Sequence, residues 1–263
     1  MLTSQIPSAL EYSQRGQHML SLANRTCIIA GGTGDIASEA VKDLLKEGMN
    51  VILLSHFPEK CKQLIAETSS YKGKCLAYAN SIPLEEVAQK VYDQFGSLDV
   101  FISKTGILNP PVPFEDIDSD KLANDFKRQV IDVMKNIKIL LPYLKQSKAG
   151  RIVLFSTIGS LNGSNNENIS DSIVKGALNS LVLSLSEPLA KFNITINVVA
   201  FSNFIQDHPG DGLDNSDQIP DIPLNRLGNA SDFKGIVEYL VSEESGFMTG
   251  EIIRLAGGTG RSL

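Results

Sequence analysis

Cys27-Ile-Ile-Ala30-Gly-Gly-Thr-Gly-Asp-Ile-Ala37 runs from a short apolar stretch through a glycine-rich turn into a helical segment. Glycines at such a place let backbone N–H groups and a helix N-terminus come close to a pyrophosphate, because no side chain holds the ligand away. A loose glycine-rich match carries little alone, but its place in a strand-turn-helix unit points to a nucleotide-binding ancestry. The same alternation continues outward from it. Apolar runs at 27–30, 50–54, 74–78, 98–102, 151–155, 195–199 and 251–255 read as seven strands, most of them unbroken as in strands buried on both faces. Amphipathic stretches near 36–47, 58–68, 83–94, 119–141, 170–191 and 230–243 read as the helices between them, the first stopped by Gly48. The pattern predicts an α/β protein, a doubly wound parallel sheet of about seven strands with helices on both faces.

With 263 residues, 42% hydrophobic and 21% charged, the chain has the composition of an ordinary globular protein. A net charge of -6 argues against a surface built for nucleic acid or anionic lipid, both of which need clustered Lys and Arg. The first 25 residues hold no apolar run of the length a signal-peptide core or a membrane span requires, so a cytoplasmic location is expected. Cys27, Cys61 and Cys75 form no C-x-x-C pair and read as packing residues of a reducing compartment. His18, His56 and His208 are scattered without metal-ligand spacing, and no metal is expected.

No linker-like composition divides the chain, which predicts one domain over 26–263 after an N-terminal extension over 1–25. The aperiodic stretch 201–223, with its Gly, Asp, Asn and Pro, reads as an inserted substrate loop, a lid beyond a strand's carboxyl end. From Gly176 to Ser186 there is no charged residue, although a helix covering one sheet face should turn a polar stripe outward. Burial of that outer face in an oligomer is the first reading, and a serine-rich solvated face is the other.

Further landmarks stand in order along the chain. Leu98-Asp99 leads on to Ser103-Lys-Thr-Gly106, and Gly150-Arg-Ile-Val-Leu-Phe-Ser-Thr157 follows. Then come Asp171-Ser-Ile-Val-Lys175, Pro223-Leu-Asn-Arg-Leu-Gly228, and Thr249-Gly250 through Gly257-Gly258. With the Ala30–Ala37 turn these match motifs T-G-x-x-x-G-x-G, L-D-x-x-x-N-N-A-G, G-R-I-V-x-x-S-S, Y-x-x-x-K, P-x-x-R-x-G and T-G-x-x-x-x-x-x-G-G. From about Arg25 to its end the chain thus resembles the short-chain dehydrogenases/reductases.

The resemblance implies a Rossmann-type fold and an oxidoreductase that moves a hydride between NAD or NADP and a carbonyl or alcohol substrate. It implies contacts to that cofactor from Gly31, Thr33, Gly34, Asp35, Ile36, Ser55, His56, Asn80, Ser103 and Lys175, and catalytic positions at Thr157, Asp171 and Lys175. Several of these positions depart from the pattern. The proton-donating tyrosine is Asp171, whose carboxyl has an unperturbed pKa of about 3.9 that a neighbouring ammonium lowers, and whose side chain is several bonds shorter than a phenol. Thr157 stands for the serine that binds the substrate oxygen, with Ser156 as a register alternative, and the helix asparagine falls near Gln129. Asp35 replaces a motif glycine, where its carboxylate either bonds the free helix N–H groups itself or caps a turn that still binds. Ser55 and His56 replace the ribose-binding acid, which removes an NAD preference and favours the phosphorylated cofactor. Asn80 stands for an aspartate near adenine, Ser103-Lys104-Thr105 for Asn-Asn-Ala, and Phe201-Ser202 for the Pro-Gly beside nicotinamide. Lys104 reads either as a new functional charge or as a solvated or salt-bridged lysine.

Three functions follow from these departures. The first is a pseudoenzyme, a non-catalytic or strongly impaired subunit that forms a homo-oligomer or pairs with an active paralogue. The second is an active NAD(P)-dependent oxidoreductase with another proton donor, Thr157 or a residue of 201–223. The third is a non-redox enzyme with Asp171 as base, against which Lys175 argues, since an ammonium does not raise a carboxyl pKa.

Overall fold

The structure is a computed structural model. It describes residues 20–104, 106, 112–163, 169–202, 204 and 221–260, with the side chains of Asp35 and Ile36 outside the described set. Along the chain it runs β1 (Thr26–Ala30), α1 (Asp35–Lys46), β2 (Asn50–Ser55), α2 (Pro58–Glu67), β3 (Cys75–Ala79), α3 (Leu84–Phe95) and β4 (Val100–Ser103). Next are α4 (Ser119–Phe126), a π turn (Lys127–Ile131), α5 (Asp132–Leu144), β5 (Gly150–Thr157) and the short α6 (Gly159–Asn162). The last elements are α7 (Ile169–Ala190), β6 (Ile194–Phe201), α8 (Ser231–Val241) and β7 (Ile252–Leu255).

All seven strands join one parallel sheet in the order β3-β2-β1-β4-β5-β6-β7. Most of the strands are largely apolar because their alternate residues feed two different cores. On one face Cys27, Ile29, Val51, Leu53, Val153 and Phe155 pack on α1 and α8 through Val41, Leu44, Phe233 and Val237. On the other, Ile28, Ile52, Phe101, Ile152 and Ile196 meet α3, α5 and α7 through Val87, Val91, Ile137, Leu178 and Val182. The strand order reverses between β1 and β4, and a crevice at the carboxyl ends of such a pair is where doubly wound sheets take ligands. The glycine turn follows β1 and Lys104 follows β4, so both stand at that point.

Two features differ from the sequence reading. The helix expected over 119–141 is α4 and α5 joined by the π turn, and α5 runs through Pro142 to Leu144. A single extra residue in a helical ladder leaves the apolar period almost unchanged, so the pattern gives no sign of it. The expected 1–25 extension is partly inside the packed body. Leu22 is a core residue, Ser21 bonds Glu244, Asn24 N–H donates to Gly48 O, and the Arg25 guanidinium donates to Ala149 O. Of the expected loop 201–223, residues 203 and 205–220 lie outside the described residues, as do His18 and His208.

Candidate functional site

Gly31 takes φ of +81°, a conformation a side chain rarely adopts, and so reverses the chain at the end of β1. Gly32 is required for space: a Cβ there would lie 2.8 Å from Leu53 Cδ2. Gly34 opens α1 with extended backbone and accepts from Ser38 N–H at 2.7 Å. Among the described residues a Cβ on Gly34 would meet only Lys104 Nζ, at 3.8 Å, so the lysine after β4 reaches across the strand ends to the glycine turn. Asp35 and Ile36 are the first two residues of α1, and their side chains lie outside the described set.

Thr33 and Ser55 are joined through their hydroxyls at 2.8 Å, and Ser55 Oγ also accepts from Phe57 N–H at 3.1 Å. This ties the turn to the end of β2. His56 and Asn80 are exposed just beyond β2 and β3, and Ser103 is buried at the end of β4. Gly31, Thr33, Gly34, Ser55 and Ser103 therefore lie at the carboxyl ends of β1, β2 and β4, with the exposed His56 and Asn80 just beyond β2 and β3.

The second half of the site is a stripe along α7. Asp171, Lys175 and Asn179 recur every four residues on one buried face, at 3%, 9% and 4% exposure, among Val174, Leu178 and Val182. Burial drives the Lys175 ammonium down to a pKa of about 8, against the pull of the Asp171 carboxylate and with a further push from Lys104. Asp171 on α7 and Lys104 just after β4 thus both act on Lys175. Asn179 Nδ2 donates to Ser160 Oγ at 2.8 Å, and Ser160 Oγ lies 2.9 Å from Ser156 Oγ and donates to Thr157 O at 2.5 Å. The Ser156 hydroxyl is committed to this string, whereas Thr157 ends β5 half-buried. The four-residue spacing, in a helix whose next charge is Glu187 three turns on, is the signal in the sequence for this stripe; the reach of Lys104 had no such signal.

Gln129 sits on the π turn, which packs against α7, and is 2% exposed with no hydrogen-bond partner for its Oε1 among the described residues. A Cβ on Gly106, whose φ is +108°, would collide with that amide. Phe201 turns away from α7: its ring packs at 5.1 Å from Phe233 and 5.6 Å from Phe204, in the cluster on the α1/α8 face. The outward side of α7 carries Ile173 and Leu183, about half exposed. Among the described residues no group of His, Cys, Asp or Glu could hold a metal, and no helix is long and apolar enough to cross a membrane.

The family model described as enoyl-(acyl carrier protein) reductase matches residues 31–260. The 3-oxoacyl-[acyl-carrier-protein] reductase FabG of Thermotoga maritima is 25% identical over 248 residues, covering 91% of this chain and 99% of that protein. The 7alpha-hydroxysteroid dehydrogenase of Clostridium sardiniense is 28% identical, with 91% and 95% covered. The Pseudomonas aeruginosa RhlG/NADP active-site complex superposes with a TM-score of 0.82 at 22% identity over 92% of this chain and 98% of that one. The match begins at the glycine turn and takes in β2 through β7, and the chain belongs to the short-chain dehydrogenase/reductase family of oxidoreductases.

Proposed function

We propose that the chain keeps a site for a nicotinamide dinucleotide, NADP before NAD, and has lost the proton transfer that completes carbonyl reduction. On this reading it serves as a non-catalytic or strongly impaired subunit of an oxidoreductase assembly. The residues at the turn fit the phosphate end of the cofactor. Among the described residues a Cβ on Gly34 would have only Lys104 Nζ within 4 Å, which leaves room beside the turn and an ammonium near it for a phosphate. Ser55 and His56 at the end of β2 supply no acid for an adenosine ribose, and on this reading Asn80 and Lys175 are further contacts to the cofactor. Such a cofactor supplies or accepts a hydride; the protein must handle the proton.

The observation that carries the reading is Asp171 buried on α7 one turn from Lys175. An ionised carboxylate accepts hydrogen bonds and has no proton to give, and it stops short of the point a phenol reaches. The half-exposed Ile173 and Leu183 on the outer side of α7 support a second copy, or a paralogue with its tyrosine intact, as the partner.

Thermal shift with NADPH and NADH tests binding, and loss of absorbance by NADPH or NADH with a 3-oxoacyl thioester or a ketosteroid tests turnover. The expected result is a rise in Tm that is larger for NADPH, with no cofactor consumed. Steady consumption would establish the active oxidoreductase with another proton donor instead.

A further inference from the structure

We propose that Asn162 is a self-modifying residue: the main-chain nitrogen of Gly163 displaces its side-chain amide, ammonia leaves, and water opens the resulting imide to aspartate or isoaspartate. The step needs neither dinucleotide nor hydride, and it stands apart from the function proposed above.

Asn162-Gly163 is the one Asn-Gly pair of the chain. An asparagine amide is attacked by the nitrogen of the residue that follows, and glycine obstructs that attack least, because it has no Cβ and the widest backbone freedom. Gly163 has both advantages here. Its φ is +80°, and a Cβ placed on it would meet nothing within 4 Å among the described residues. The nucleophile is uncommitted as well. Where α1, α2 and α3 end, the N–H of the capping residue donates back to a helix carbonyl, whereas Gly163 N–H at the end of α6 has no such acceptor among the described residues. Asn162 is the exposed last residue of that single-turn helix, so little structure must open to bring nitrogen and carbonyl together.

The fold also prepares the electrophile. Arg254 Nη2 on β7 donates to Asn162 Oδ1 at 3.4 Å, while Asn162 Nδ2 and Arg254 Nη1 both donate to Gly260 O, the arginine at 2.5 Å. The clasp is close-packed: a Cβ on Gly260 would lie 2.6 Å from Asn162 Nδ2. A guanidinium at the amide oxygen draws electron density from Cγ and stabilises the oxyanion that forms as nitrogen adds.

The step balances without oxidant or reductant. Gly163 N forms a bond to Asn162 Cγ and gives up its proton, the Cγ–Nδ2 bond breaks, and Nδ2 leaves as ammonia with that proton. Water then adds to a carbonyl of the imide, and the sum is amide plus water to acid plus ammonia. Opening at the side-chain carbonyl gives aspartate; opening at the main-chain carbonyl gives isoaspartate, whose main chain is longer by one carbon. Either product removes the donor to Gly260 O and sets a carboxylate against Arg254. Isoaspartate also lengthens the link to α7, whose first turn carries Asp171.

The full chain is aged in heavy-oxygen water at mildly alkaline pH, either folded or unfolded in urea, and the acid formed at Asn162 is followed by peptide mass spectrometry. Conversion is expected to be at least as fast in the folded chain as in urea. Arg254→Met should slow the folded rate about tenfold, the weight of one charge-assisted hydrogen bond at the oxyanion. A folded rate below the unfolded one would overturn the proposal, because the clasp would then protect the amide, and so would an Arg254→Met rate equal to or above wild type. If Arg254→Met fails to fold, the comparison of folded and unfolded wild type decides alone.

Discussion

Lys175→Met tests the electrostatics of the site through stability. Folding moves this ammonium from an ordinary pKa of 10.5 to about 8, chiefly by burial, so between those values the unfolded chain holds a proton that the folded chain has released. Stability therefore rises with pH through that window, and the contribution is lost again as pH falls through about 8. With these two values, linkage gives almost no contribution at about pH 7 and about 2 kcal/mol at about pH 9.5. Methionine keeps the length of the stem and cannot titrate, so the variant lacks this gain. Any constant effect on Asp171 cancels when the two pH values are compared within each protein, and the other lysines, tyrosines and thiols titrate alike in both. Urea unfolding followed by circular dichroism at both pH values gives the difference directly. Parallel curves, agreeing within about 0.5 kcal/mol, would show that Lys175 is solvated and would remove the basis for its electrostatic role.

Arg151→Ala should destabilise the protein by about 3–5 kcal/mol, because the guanidinium is buried and satisfies Ser242 O, Gly150 O and Glu243 O at 2.8, 2.9 and 3.2 Å; a Tm within a degree or two of wild type would refute this. Gly106→Ala should cost about 1–3 kcal/mol from its positive φ and its collision with Gln129. Part of that loss should return in the Gln129→Ala background, and a double-mutant cycle in urea measures how much. Leu183→Glu should leave the fold intact and split the wild-type assembly in light scattering, since Leu183 is 53% exposed on the outer side of α7. A monomeric wild type would remove the partner proposed for that face.

Much of the architecture was legible in the chain, for local reasons. Runs such as Val51–Leu54 and Ile152–Phe155 are apolar at every position because one sheet separates two cores, and that shows without any knowledge of what lies across from them. The glycine turn was legible too, since Gly31 needs a left-handed backbone and Gly32 has no room beside Leu53. The π turn was not, because its extra residue is absorbed within a single helical turn. Nor was the docking of the segment Ser21–Arg25, in which Ser21 bonds Glu244, Asn24 donates to Gly48 O and Arg25 donates to Ala149 O, all partners distant in sequence or in other elements.

What the sequence determined by itself was the order of strands and helices, the place of the pyrophosphate-type turn, and the identity of Asp171 where a tyrosine was expected. Each of these depends on residue type and spacing over a few turns of chain. Only the tertiary structure decided that Lys104 reaches Gly34, that Ser55 is spent on Thr33, and that Asp171, Lys175 and Asn179 face inward together. The charge state of Lys175 follows from how much water is removed around it and which charges stand nearby. Both are set by packing among β4, α7 and the elements around them, at distances that sequence separation does not encode.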